Sequence, residues 1–132
     1  MAGYVPDAGE LNLLKRSLGV STNGDQTIKL FTNDYTPVAG SVAASFTEMS
    51  GLGYASKTLT AGSWTVTTIS NVASGTYAQQ TWTFTAGSSQ VVYGYFVIDA
   101  SGVILFAERF ASPPTIPPII KEKLQLTSAL PR

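Results

Sequence analysis

Residues 90–110, QVVYGYFVIDASGVILFAERF, decide the fold of this 132-residue chain. Two apolar runs flank the segment DASG at 99–102. Aspartate in the first position and glycine in the fourth suit a type I turn, with Gly102 free to take a positive φ. Both runs are rich in Val, Ile, Tyr and Phe, which favour β-strands. The segment therefore predicts a β-hairpin.

The predicted hairpin lacks a polar face. Side chains that alternate along its first run are apolar on both sides, with Val92, Phe96 and Ile98 on one face and Tyr93, Tyr95 and Val97 on the other. A strand that is apolar on both faces is covered on both. The hairpin is therefore either central in the fold or half-covered by another protein. Apolar area of this extent also predicts self-association, as a dimer or trimer.

The composition indicates a chain that packs against neighbours. It is 44% hydrophobic and only 12% charged, against roughly 25% charged in an average soluble domain. Lys+Arg and Asp+Glu balance at 8 each, so we expect no direct binding of nucleic acid. The start lacks the features of a signal peptide, and no apolar run reaches the ~20 residues of a membrane helix. A secreted or glycan-rich β-domain remains the alternative.

The residue types of common active sites are missing. The chain has no Cys and no His, which removes the usual nucleophile–base pairs and zinc ligands. Its carboxylates are scattered, without the spacing of a paired acid and base, and no Ser-x-x-Lys motif occurs. We therefore expect no enzyme, and no catalytic, metal or cofactor site.

The start of the chain predicts an arm over residues 1–6 and then a short amphipathic helix over 8–18. Asp7 is the expected N-cap, with Glu10 completing a capping box. Leucines recur at helical spacing at Leu11, Leu14 and Leu18. About three turns are marginal alone. The helix therefore either covers one end of its own fold or docks on a partner subunit.

The rest of the chain predicts about eight short strands separated by Gly, Asn, Ser and Pro turns. Strands are expected at 27–32, 42–49, 54–60, 63–70, 76–85 and 121–130, besides the hairpin, with loops at 33–41 and 111–120 and turns at 71–75 and 86–89. Trp64 with Val66, and Trp82 with Phe84, mark the buried faces of two strands. This pattern predicts a single all-β domain over 1–132, a jelly-roll-like β-sandwich with one short N-terminal helix.

Six residues are candidates for an interface. Glu108 and Arg109 point opposite ways from an apolar strand and either reach solvent or pair across subunits, where Arg is favoured. Tyr93 and Tyr95, with Tyr77, form a possible stacking face for sugar rings.

Ile116 and Ile119 belong to the proline-rich segment 111–120, which holds four of the seven prolines. They serve either as anchors on a neighbour or as part of the chain's own core. We expect residues 1–6 and 111–120 to be ordered mainly by partner contacts, because such segments bury little of their own surface.

Four segments carry a resemblance that covers most of the chain. They are PDAGELNLLKR at 6–16, KLFTNDYTP at 29–37, GYASKTLTAGSWTV at 53–66 and VVYGYFVIDASGVILFAERFASPPTIP at 91–117. In this order they resemble a family of small virion proteins of tailed bacteriophages. The last segment, with an aromatic strand, a D-x-x-G turn and ERF before a proline stretch, is the most specific.

The resemblance implies a structural protein of the phage head or tail, with no catalytic residues. Members that decorate heads are of similar size, are often β-rich and clamp major capsid subunits together. The leading hypothesis is therefore a decoration, or cement, protein on the capsid surface of the virion, made in the host cytoplasm. Its expected partners are the major capsid protein and copies of itself. The alternatives are a tail or baseplate component and a carbohydrate-binding module.

Overall fold

The computed structural model describes residues 4–19, 24–116, 123–126 and 129–130. Within these ranges the chain is mostly strand, with one short α-helix, so the β-rich class expected from the sequence is confirmed. The elements are α1 (Asp7–Ser17), β1 (Gln26–Phe31), β2 (Lys57–Leu59), β3 (Thr65–Ile69), β4 (Val72–Thr76), β5 (Gln80–Thr83), β6 (Gln90–Val91), β7 (Gly94–Ile98), β8 (Ile104–Arg109), β9 (Thr115–Ile116), β10 (Lys123–Leu126) and β11 (Ala129–Leu130).

The strands of the described ranges form small antiparallel sheets. The largest has four strands in the order β2-β1-β7-β8. Its register places Leu30 opposite Tyr95, and Tyr95 opposite Glu108. The others are a three-stranded sheet, β11-β4-β3, and two pairs, β10-β5 and β6-β9.

The predicted hairpin, β7 and β8, forms one half of the four-stranded sheet, with β7 inside and β8 at the edge. Its turn has the expected chemistry, because Gly102 has a φ of 85° and donates its N–H to the Asp99 carbonyl at 3.0 Å. In addition, the Asp99 carboxylate accepts the backbone N–H groups of Ser101 and Val103, each at 2.9 Å. The turn was therefore correctly predicted from four residues.

Both faces of the hairpin are covered, and by this chain itself. One face contributes Tyr95, Val97 and Phe106 to a large core cluster that also includes Trp82, Phe84, Val92 and Ile116. The other face contributes Phe96, Ile104 and Ala107 to a second cluster with Phe31 and Phe46. We call these the main core and the phenylalanine cluster. Burial of Trp82 and Phe84 confirms the expected inward face of β5.

Two residues before β7 lie on the faces opposite to those predicted. Val92 packs in the main core beside Tyr95, and Tyr93 packs against the phenylalanine cluster. Regular pairing of β7 begins only at Gly94, so strict alternation does not extend back to these positions.

The helix α1 has the predicted length and location but a different N-cap. Its N-cap is Pro6 rather than Asp7, with no side-chain cap, so the expected capping box is wrong. The Asp7 N–H instead donates to the Ala39 carbonyl at 2.9 Å. The buried helical residues are Gly9 and Asn12, whereas Leu11, Leu14 and Leu18 are exposed.

Several strand and turn predictions need correction. Of 54–60 only Lys57–Leu59 is strand, and the single strand expected at 121–130 is two strands, β10 and β11, where the structure describes it. Residues 42–49 are not a strand but a 3-10 turn at 43–45 followed by a single bridge from Glu48 to Phe31. The Asn33 side chain explains this, because it donates to the Ser45 carbonyl and accepts from the Thr47 N–H, at 2.9 and 2.8 Å. Such local side-chain bonds compete with a strand ladder.

The turn expected at 71–75 is a two-residue turn, Ser70 and Asn71, both at positive φ, with β4 following at once. Two left-handed residues suit the tight hairpins that match strand twist. The strand predicted at 76–85 is shorter, since β5 begins at Gln80. On β3, Val66 is 72% exposed rather than buried.

Both segments expected to need a partner are attached to the fold where the structure describes them. Tyr4 exchanges two backbone hydrogen bonds with Ala107, at 2.6 and 2.8 Å, and Pro6 is buried. Ile116 is 3% exposed in the main core, and β9 pairs with β6. The expectation that these residues await a partner is therefore wrong. Residues 1–3 and Ile119 lie outside the described residues.

Candidate interaction surfaces

A buried polar cluster joins α1 to the hairpin turn. Asn12 donates its side-chain N–H to Oδ2 of the Asp99 carboxylate. Arg16 Nη2 lies 3.5 Å from the same oxygen, and Arg16 Nε donates to the side-chain oxygen Oδ1 of Asn12 at 3.3 Å. Asp99 thus accepts hydrogen bonds from the helix on one side and from its own turn on the other. This cluster fixes the rotation of α1 on the fold.

The groups around Asp99 lower the pKa of its carboxyl. Burial raises the pKa of the carboxyl, but hydrogen bonds from Asn12 and from the Val103 and Ser101 backbone, with the Arg16 charge, outweigh it and hold the pKa below its usual value. The carboxylate is therefore charged in the folded chain at neutral pH, where it holds the helix in place.

Glu108 and Arg109 point to opposite faces, as expected, and each has a partner within the chain. Arg109 forms an ion pair with Asp34 and lies over the Tyr93 ring, 5.0 Å from its centroid. Glu108 is hydrogen-bonded to Tyr95, whose pKa is raised mainly by burial and further by this carboxylate. Arg109 and Tyr93 remain half-buried at the surface, so these two candidates stay accessible.

The other candidates do not form a surface together. Tyr95 is 3% exposed in the main core, as is Ile116. Tyr93 and Tyr95 lie on opposite sides of the central sheet, and Tyr77 packs against the Trp64 ring at 5.3 Å. The sugar-stacking face expected from these tyrosines is therefore not formed.

The outer face of α1 is an apolar surface, so the leucines do not cover the fold, which was one of the two alternatives for this helix. Leu11, Leu14 and Leu18 are 55%, 55% and 69% exposed. We call these three side chains the leucine face. Glu10 and Lys15 flank it, and neither forms an ion pair with the rest of the described chain.

An apolar cleft of about 110 Å³ lies between α1, β3 and the central sheet. Leu13, Val66 and Phe106 contribute to its walls. Two buried polar atoms also belong to lining residues, Gln26 Oε1 and Trp64 Nε1, and neither has a hydrogen-bond partner among the described residues. An acceptor and a donor in an apolar cleft suit a small polar group or an ordered water.

The sequence did not predict the Asp99 cluster, and it left open whether the leucines of α1 face the fold or a partner. Asn12 and Asp99 are 87 positions apart, so no local spacing joins them. The available signal was a lone polar residue amid leucines, together with a glycine one turn earlier, which together mark a close and polar helix contact.

Comparisons with known proteins supply no further function. The chain matches no protein-family model, no curated protein and no solved structure. Within the described residues, no helix is long and apolar enough to span a membrane, and no cluster of three or more metal-ligating side chains occurs. The inference of function therefore rests on the surfaces described above and on the sequence resemblance.

Proposed function

We propose that this chain is a head decoration protein of a tailed bacteriophage, which binds across adjacent major capsid subunits and stabilises the shell. The observation that carries this proposal is the spread of exposed aliphatic side chains over several elements of one weakly charged chain. They occur in the loop before β2 and on β3, at Val38, Val42 and Val66, apart from the leucine face. Apolar groups on separate elements suit a protein that contacts more than one neighbour.

The chemistry of cementing asks only for buried area and distributed hydrogen bonds. A stable contact buries on the order of 1,200–2,000 Å², and many copies on one shell act multivalently. The resemblance to small phage virion proteins supports the same function. As part of this proposal, the small sheets make a jelly-roll-like sandwich whose interior is the main core, with the four-stranded sheet as one layer.

The decisive experiment is a reconstruction of the virion at a resolution that identifies side chains. We expect this chain on the outer surface of the head, at a fixed position relative to the major capsid subunits. Density on the tail or baseplate alone would instead make it a tail component and overturn the proposal.

An add-back assay tests the function itself. Heads assembled without this chain should disrupt at a lower temperature, and adding the purified chain should restore their melting temperature. Val42→Asp and Val66→Asp should weaken restoration, because each places a charge on an exposed aliphatic site. Ser88→Asp, at an exposed position without an apolar side chain, is the matched control. Equal restoration by all three variants would exclude these apolar sites as the contact.

A further inference from the structure

The predicted self-association loses its original basis, because both faces of the hairpin are covered by the chain itself. The leucine face offers a different basis for self-association. Its side chains occupy positions of a seven-residue repeat, with Leu11 at position a, Leu14 at position d, and Leu18, the C-cap residue that follows the helix, at the next position a. That spacing is the seam by which one helix packs along another.

We propose that the leucine face binds the leucine face of a second copy of this chain, with the two α1 helices parallel. This goes beyond the decoration function and does not depend on it. The charged residues beside the leucine face favour a second copy of this chain as the partner. Counted in the same way, Lys15 is at position e of the repeat that contains Leu11 and Leu14, and Glu10 is at position g of the repeat before it.

In a parallel pair of helices, position g of one lies beside the next position e of the other. Glu10 of each copy then meets Lys15 of its partner, which gives two equivalent ion pairs about a twofold axis. An antiparallel pair sets g beside g and e beside e, so that carboxylate faces carboxylate and ammonium faces ammonium. The charges therefore favour the parallel arrangement.

The rest of the helix is consistent with this contact. Gly9, Asn12 and Arg16 are turned toward the fold and fixed there by the Asp99 cluster, so the leucines are held outward on a rigid support. Asp7 lies one turn before Leu11 on the same face of the helix. In a parallel pair the two Asp7 carboxylates would face and repel each other, so the contact between the helices ends there. An 11-residue helix buries less area than a standard interface. Association in solution is therefore weak.

Disulfide trapping suits a weak contact, and the chain has no Cys to interfere. In a parallel pair Leu14 faces its own counterpart. Under mild oxidation the Leu14→Cys variant should form a covalent dimer at least tenfold faster than Val66→Cys at the same concentration. Val66 is the matched control because it is an exposed aliphatic residue on β3. Equal rates for the two variants would overturn the proposal.

Two further comparisons test orientation and charge. Mixing Leu11→Cys with Leu14→Cys should give mainly the two homodimers, whereas a dominant mixed dimer would indicate antiparallel helices and overturn the parallel geometry. Adding Glu10→Lys to Leu14→Cys should slow trapping roughly threefold or more, because like charges then meet. Adding Lys15→Glu as well should restore the rate. A double variant as slow as Glu10→Lys would exclude the proposed ion pairs.

These measurements use the purified chain and no phage heads. Their failure would leave capsid binding untouched. A failure of the add-back assay would likewise leave the contact between copies in place.

Discussion

At the scale of single residues, Asp99 links two parts of the chain that the sequence treats separately. Its role in the turn was predictable, because Asp and Gly at 99 and 102 shape the backbone locally. Its contacts with Asn12 and Arg16 were not, because they depend on how the whole chain brings α1 to the hairpin. Local sequence thus predicts the turn, whereas the contact of Asp99 with the helix is seen only in the tertiary structure.

The depressed pKa of Asp99 makes stability depend on pH. A carboxyl whose pKa is lower in the folded chain stabilises it fully above the unfolded value of about 3.9, and this contribution is lost as the pH falls through the folded pKa. We expect the denaturation midpoint to decrease below about pH 4, and to decrease less steeply in Asp99→Asn. Chemical denaturation between pH 2 and 6 measures both.

Asn12→Ala provides the internal comparison for this prediction. It removes the strongest hydrogen bond that lowers the Asp99 pKa, so the folded pKa moves toward the unfolded value, and the loss of stability in acid should be smaller and should end at a higher pH than in the unmodified chain. Identical pH profiles for all three proteins would exclude Asp99 as the titrating group.

At the scale of elements, α1 was predicted to within a residue at each end, but which of its faces points inward was left open. Periodicity of leucines identifies a helix, and burial of the leucines is the usual outcome. Here Gly9 lets the helix backbone approach the Leu105 carbonyl, where a Cβ would overlap it. That close contact, with Asn12 and Arg16 bound to Asp99, sets the rotation of the helix and leaves the leucines outside.

The two faces of α1 should respond oppositely to substitution. Alanine is favoured over glycine in a helix by about 1 kcal/mol, yet Gly9→Ala should destabilise the chain by about 1–3 kcal/mol, because overlap with β8 forces a shift. Leu14→Ala should change the free energy of unfolding by less than about 0.5 kcal/mol. Urea denaturation at low protein concentration measures both. A large loss in Leu14→Ala alone would mean that the leucine face is buried.

The turn between β3 and β4 offers a way to strengthen an element. Ser70 takes a φ of 51° and Asn71 a φ of 65°, and Asn-Gly is the preferred pair for such turns. The double variant Ser70→Asn, Asn71→Gly should stabilise the hairpin by about 1 kcal/mol. The added stability of the hairpin should appear as slower hydrogen exchange at the backbone amides of β3 and β4. The converse variant, Asn71→Val, should speed exchange, and no difference between the two would argue against this turn geometry.

At the scale of the whole molecule, the β-rich class followed from period-two patterns, but the grouping of strands did not. Residue 27 lies opposite residue 98, and pairings at such separation leave no trace in local sequence. The last strands show this most clearly. β9, β10 and β11 pair with β6, β5 and β4, in three different sheets. Ile116, in the proline stretch that suggested a partner-bound arm, instead lies in β9 and in the main core.

Truncation tests this role of the chain end. A chain ending at Ser112 loses three strands and the buried Ile116, so the main core is opened to water. We expect it to lose a single cooperative thermal transition, as measured by calorimetry and near-ultraviolet circular dichroism. The point variant Ile116→Ala should keep cooperativity and lose about 2–5 kcal/mol. A truncated chain with an unchanged transition would show that these strands are dispensable.

The bridge between Tyr4 and Ala107 has a consequence for behaviour at high concentration. β8 is the outer strand of the four-stranded sheet, and an outer strand with free N–H and C=O groups is a template for cross-β polymerisation. Tyr4 occupies the backbone groups of Ala107 on that edge. We therefore expect the N-terminal segment to hinder the addition of a further strand at this edge, and a chain trimmed past Tyr4 to polymerise more readily through Ile104–Arg109.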